Sequence, residues 1–134
     1  MSDFAAVFHR PTLEALPFWE GCESGQFLIQ TCRDCAHTVY PARLFCTNCG
    51  SEHLDWTDGG SSGTIYSFTH VFVPFGEVWK AQVPYTSVLI DLDAGVRVVS
   101  RLIGAKREDV RVGDRVHIAF TPVCGKRLPF FELA

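Results

Sequence analysis

Cys32-Arg33-Asp34-Cys35 and Cys46-Thr47-Asn48-Cys49-Gly50 decide how this chain is read. A Cys-x-x-Cys pair wraps one turn of backbone so that two thiolates point the same way, and two such knuckles complete a tetrahedral S4 metal site. The residues between them, Ala36 to Phe45, suffice for a short hairpin that brings the knuckles together. Gly50 follows the second knuckle, where a positive φ is often needed; Ala36 stands at the equivalent place after the first and is less suited to it. Two structural disulfides are disfavoured by a reducing compartment, and a thioredoxin-type redox pair needs one Cys-x-x-Cys at a helix start rather than two. Sulfur-only coordination suits zinc and iron alike in geometry, and zinc is favoured because it needs no redox partner. With four protein ligands no position stays open for water or substrate, so one structural zinc ion is expected at Cys32, Cys35, Cys46 and Cys49. Cys22 and Cys124 are left over and read as inert thiols; Lys126 and Arg127 are the cations close to Cys124 in sequence.

Upstream of the ribbon, Pro11-Thr12-Leu13-Glu14 reads as a helix start, and Leu13, Leu16, Phe18, Trp19 and Phe27 give apolar surface that a small metal module cannot bury alone. Gln26 to Thr31 leads into the first knuckle as a strand, and Thr38 to Tyr40 returns before Pro41. Ser51 to Ser62 is polar, with Asp58-Gly59-Gly60-Ser61-Ser62-Gly63 marking the seam between modules. Downstream the pattern is that of β-strands. Tyr66, Phe68, His70 and Phe72 alternate with Ile65, Ser67, Thr69, Val71 and Val73, the period of two expected of a long strand with two different faces. Tyr85 to Leu92 and Val96 to Ile103 pair across Asp93-Ala94-Gly95, Lys106 to Val110 has the length of one helical turn, and Arg115 to Phe120 and Phe130 to Leu133 supply two more strands. Five strands with a short helix between the third and fourth is the order of an OB-fold barrel. The predicted architecture is therefore mainly β: an N-terminal helical segment over 1–25, a rubredoxin-like zinc ribbon over 26–60 and a five-stranded OB-fold barrel over 61–134.

Composition narrows the function classes. With 47% hydrophobic and 20% charged side chains among 134 residues, the chain is an ordinary globular unit and not a disordered one. No apolar run approaches the ~20 residues needed to cross a bilayer. Met1-Ser2-Asp3-Phe4 opens acidic, without a basic stretch leading into an apolar core, so a cytoplasmic protein is expected. Residues 1–60 carry three basic and eight acidic side chains, a balance of −5; residues 61–134 carry nine and seven, a balance of +2. Arg97, Arg101, Lys106, Arg107, Arg111 and Arg115 crowd the third barrel strand and the turn after it, where they are candidates to meet the phosphates of CoA or an acidic partner. A solvated face interleaved with Glu108, Asp109 and Asp114 is the plainer reading.

Taken in order, Phe18-Trp19-Glu20-Gly21, Cys32-x-x-Cys35, Tyr40-Pro41, Cys46-x-x-Cys49-Gly50, Gly63-Thr64-Ile65-Tyr66-Ser67, Asp91-Leu92-Asp93-x-Gly95 and Val112-Gly113-Asp114-x-Val116 resemble the zinc-ribbon/OB-fold proteins long catalogued as a domain of unknown function and associated with acyl-CoA metabolism. The resemblance runs from about Pro11 to the C-terminus. It implies an accessory subunit bound to a thiolase-like enzyme, or in some relatives a hydratase or aldolase. Such a subunit helps shape a channel for CoA and its acyl group, while the catalytic cysteine or base belongs to the larger partner.

The residues themselves show no phosphate loop, no nucleophile elbow and no triad. His70, His117, Asp91 and Asp93 are acid-base candidates whose plainer reading is a half-buried or surface side chain. The loop from Val73 to Pro84 is too long and too apolar for a routine turn, which makes Phe75, Val78 and Trp79 candidates for a partner or acyl-chain surface, with Lys80, Arg97 and Arg101 nearby. Phe18 and Trp19 are expected to join that partner interface. The contrasting function is single-stranded nucleic-acid binding, with Tyr66, Phe68 and Phe72 stacking bases; an excess of only +2 on the barrel half weighs against it.

Overall fold

The computed structural model describes residues 11–134, so the expectation read from Met1 to Phe4 lies outside the described residues. A 3-10 turn over Leu13–Ala15 leads into α1, Leu16–Glu23, with Pro17 in the first turn, where its missing N–H has no intrahelical acceptor to lose. The i, i+3, i+4 set Phe18, Gly21 and Cys22 is the buried face of this short helix. Gly21 is required there: a Cβ would stand 2.9 Å from the Gln26 carbonyl oxygen and 3.0 Å from the Leu28 side chain, so the helix lies directly against the strand that comes next.

That strand, β1 (Leu28–Cys32), is the centre of a three-stranded antiparallel sheet ordered β2-β1-β3, with β2 at Thr38–Val39 and β3 at Leu54–Asp58. The polar stretch Ser51 to Ser62, for which no strand was expected, therefore contains one just before the seam. Its reason is cross-strand chemistry: Arg33 makes a bidentate contact with Asp55 at 2.9 Å, and the hydroxyls of Thr31 and Thr57 lie 2.8 Å apart. The seam shrinks to Gly59-Gly60-Ser61 between β3 and β4.

Five strands then close a barrel in the order β4-β5-β6-β8-β7: β4 Ser62–Val71, β5 Tyr85–Leu92, β6 Arg97–Leu102, β7 Arg115–Val123 and β8 Lys126–Leu133. Neighbours are antiparallel except β6 and β8, which meet in parallel at Leu102 and Phe131. A 3-10 turn at Arg107–Asp109 stands between the third and fourth barrel strands, as expected. The last two strands extend further than the sequence suggested, because Cys124 and Gly125, at φ 50° and 80°, form a tight two-residue hairpin turn.

One expectation for β4 fails. A register shift between Ile65 and Ser67 breaks the alternation, so Ile65 points into the core, Tyr66 and Ser67 are exposed, and Phe68 packs back against the core. Tyr66 and Phe68 thus do not share a face.

Ribbon and barrel are not separately packed. Phe18, Cys22, Phe27 and Ile29 belong to the same buried cluster as Ile65, Ile90, Leu102, Val116 and Phe131. Phe27, 1% exposed, is central: Phe18 meets it edge-on at 5.2 Å and Tyr40 lies 5.4 Å away. Phe18 itself is only 6% exposed, which corrects its assignment to a partner surface. Because one core serves both modules, Phe27→Ala should cost about 3–5 kcal/mol. Its chemical denaturation should remain a single transition in which metal release and loss of barrel structure coincide; two separated transitions would show that the modules fold independently.

Candidate functional site

The two knuckles face each other across the ribbon sheet. The Ala36 N–H donates to the Cys32 carbonyl and the Gly50 N–H to the Cys46 carbonyl, closing one turn at each, with φ at 65° for Ala36 and 78° for Gly50. Both knuckles thus need the left-handed conformation, and the first adopts it with an alanine. The four Sγ atoms lie within 4.8 Å of one another, and Cys32–Cys49 and Cys35–Cys46 are 3.6 Å apart. A disulfide is much shorter, whereas a metal with bonds of about 2.3 Å to four sulfurs has tetrahedral edges of about 3.8 Å. The donor set fits one ion.

Polar neighbours favour the thiolate at Cys35. The Asn48 side-chain amide donates to Cys35 Sγ at 3.5 Å, and this contact, together with the weaker effect of the His37 backbone N–H, lowers the Cys35 pKa to about 6. The Asp34 carboxylate accepts from the Ser51 hydroxyl at 2.5 Å and lies 3.1 Å from His53 Nδ1, tying the first knuckle to the chain leaving the second. Those contacts, Ser51 first, hold the Asp34 carboxyl below its ordinary range.

Cys22 and Cys124 stand apart from this cluster. Cys22 is fully buried under α1 and its thiol is pushed up to about 12, chiefly by burial. Cys124 is exposed at the β7–β8 turn.

A second feature lies where α1 and the ribbon meet the barrel wall. Phe18, Trp19 and Tyr40 on one side and Tyr85, Arg101 and Phe130 on the other line an open cleft of about 370 Å³. Trp79 completes it from the long loop, its ring 6.4 Å from Tyr85. The loop thus divides: Val78 and Trp79 fold back toward the barrel, while Phe72, Val73 and Phe75 stay exposed, Phe75 at 87%. Arg101 points outward from β6, its guanidinium 4.4 Å from the Tyr85 ring centre and 5.4 Å from Phe130.

The other candidates are dispersed. Arg97 lies over Tyr66 at 3.6 Å and pairs with Asp91, Arg115 pairs with Asp93, Arg107 donates to Thr86, and Lys80 pairs with Glu77. The cations crowded in sequence are therefore not one patch. His70 Nδ1 lies 2.8 Å from the Thr86 hydroxyl, and His117 is 3.9 Å from Glu132. Sequence reasoning missed Tyr85 and Phe130 as cleft residues, and Gln82 as the partner of Arg101. Tyr85 is the first outward position of a predicted strand, which is a detectable signal; Phe130 reaches Arg101 only through the β6–β8 pairing, which no local pattern announces.

Residues 19–55 match the ChsH2 rubredoxin-like zinc ribbon domain, and residues 56–121 match the ChsH2 C-terminal OB-fold domain. The chain belongs to the ChsH2 zinc-ribbon/OB-fold family. Its four-cysteine centre is accordingly the family's structural zinc site. Over 93 residues it is 27% identical to a DUF35 domain-containing scaffold protein of Methanothermobacter thermautotrophicus, covering 69% of each chain. Over 97 residues it is 28% identical to a probable enoyl-CoA hydratase alpha subunit of Thermomonospora curvata, covering 72% of this chain and 30% of that one; it spans under a third of that relative. Identity is 26% over 121 residues with the benzoylsuccinyl-CoA thiolase subunit BbsA of Geobacter metallireducens, covering 87% of this chain and 74% of BbsA. A solved structure described as Ltp2-ChsH2(DUF35) aldolase is similar in fold, with a TM-score of 0.81 at 24% identity over 92% of this chain and 98% of that chain. No described helix of this ChsH2-family chain is long and apolar enough to cross a membrane.

Two outcomes check the centre. Protein purified under reducing conditions should be colourless and carry one zinc per chain, and Cys46→Ser should lower that content and much of the thermal stability together. Thiol alkylation of the zinc-loaded protein should modify Cys124 first and reach Cys22 only on unfolding, as read by peptide mass.

Proposed function

We propose that this chain is a non-catalytic, zinc-binding OB-fold subunit that assembles with a thiolase-like enzyme of acyl-CoA metabolism, or with an aldolase or hydratase of that class, and helps shape its acyl channel. The observation that carries this reading is the aromatic cleft between Trp19, Tyr40 and Trp79, open at the surface where ribbon and barrel meet. Zinc takes no part in chemistry because all four ligand positions are protein sulfurs. Relatives named as thiolase and enoyl-CoA hydratase subunits support the class of partner. The separation of the acid-base candidates supports an accessory role: His70 bonds Thr86, while Asp91 and Asp93 are held by arginines, so none is set against another as acid and base. The partner surface we assign to the exposed loop residues Phe72, Val73 and Phe75 together with Trp79 and Trp19.

Co-expression with a thiolase-like chain from the same source should give a stable complex by size-exclusion chromatography, with acyl-CoA turnover in the complex and none in the isolated subunit. Trp79→Ala should weaken assembly at least ~30-fold, the effect of about 2 kcal/mol typical of an aromatic anchor, with zinc content and melting temperature nearly unchanged. Turnover by the isolated chain, or salt-sensitive binding of single-stranded oligonucleotides, would overturn the reading.

A further inference from the structure

Among the described residues the cleft contains one cation, Arg101, and gives it no anion. Arg33, Arg97 and Arg115 each hold a carboxylate, at 2.9, 2.6 and 2.6 Å, from Asp55, Asp91 and Asp93. Among the described residues no carboxylate lies within ion-pair distance of Arg101, whose Nη1 donates to the side-chain oxygen of Gln82 at 3.2 Å. Its guanidinium carbon lies 4.4 Å from the Tyr85 ring centre and 5.4 Å from that of Phe130, and burial holds the group below its ordinary pKa. The two rings lie beside the fork and shield part of it from water, while Gln82 occupies one of its five N–H groups.

We propose that this cleft binds a carboxylate carried on an apolar body of acyl-group size, the carboxylate meeting the N–H groups of Arg101 that Gln82 leaves and the body lying along Trp79, Trp19 and Tyr40. The inference rests on the cleft being an acyl site and names the class of acyl group, one that bears a second acid function. A wholly apolar occupant would seal a half-buried guanidinium away from water with donors unmade, which costs free energy. A carboxylate matches the planar fork with two parallel bonds. A phosphate dianion would require further donors, and Lys80 is already paired with Glu77 at 2.9 Å. At about 370 Å³ the cleft sits at the small end of ligand sites, a size for an acyl group rather than a whole nucleotide carrier.

The test uses the full, zinc-loaded chain and three probes of one shape: 3-phenylpropionate, 3-phenylpropionamide and 2-phenylethylphosphonate, titrated against tryptophan fluorescence. The acid should bind about tenfold or more tighter than the amide, and no more weakly than the phosphonate. Arg101→Gln should abolish the preference for the acid, and Arg97→Gln should keep it. Equal binding of acid and amide, a preference that survives Arg101→Gln, tighter binding of the phosphonate, or no saturable binding of the acid would each overturn the proposal. The acid-against-amide comparison is made on the unaltered chain, so it decides the matter even where Arg101→Gln does not fold. Equal binding of both probes removes the carboxylate alone and leaves an acyl site; failure to assemble with a thiolase-like chain bears on the accessory-subunit reading and is a separate measurement.

Discussion

Burial of Phe27 between Phe18, Tyr40 and the barrel core is the contact on which the rest of this molecule depends. A three-stranded ribbon of this size cannot exclude water from an apolar ring by itself, and the four cysteines fix only its far end. The separate small cluster of Cys32, Val39 and Cys46 is held by the metal; the larger one is held by hydrophobic contact with the barrel. Metal and core therefore stabilise opposite ends of one sheet, with β1 running between them. The cleft exists because those two ends set the angle at which helix and ribbon meet the barrel wall.

Ion pairs play a lesser part. Arg33–Asp55, Arg97–Asp91 and Arg115–Asp93 are all exposed, so each adds little to stability in water. What they do is hold long side chains in fixed places. Arg97 covers Tyr66, and Arg115 bridges the β5–β6 turn to β4 through Asp93 and Thr64. Arg101 differs in having aromatic rings rather than a carboxylate to hold it.

Much of this was legible in the sequence because it is written locally. Paired cysteines at fixed spacing, Gly50 after the knuckle, Gly95 at φ 99° in the β5–β6 turn and the 3-10 turn between β6 and β7 all arise from short patterns. What escaped is set by partners far along the chain. Leu54–Asp58 is polar enough to pass for a linker, and becomes a strand because β1 offers it Thr31 and the residue after β1, Arg33, reaches Asp55. The bulge after Ile65 is invisible to a period-two count, since it shifts the phase of the pattern without changing its composition. Phe18 carries the look of a surface anchor only while the barrel is unknown. Of the cleft residues that escaped, Tyr85 carried a local signal in the alternation of its strand, whereas Phe130 is brought in by the parallel β6–β8 contact, which has none.

The Arg127 side chain donates to the Glu23 carbonyl and its backbone N–H to the Glu23 carboxylate, a link across 104 residues that fastens the end of α1 to the last hairpin. At synthesis rates of about 5–20 residues per second, roughly 5–20 s pass between the two leaving the ribosome. During that interval the helix has no barrel to rest on, and β6 has not met β8. The cleft is thus made from both ends of the chain and is the last part of the molecule to exist, so a nascent or C-terminally shortened subunit would offer an occupant nothing to bind.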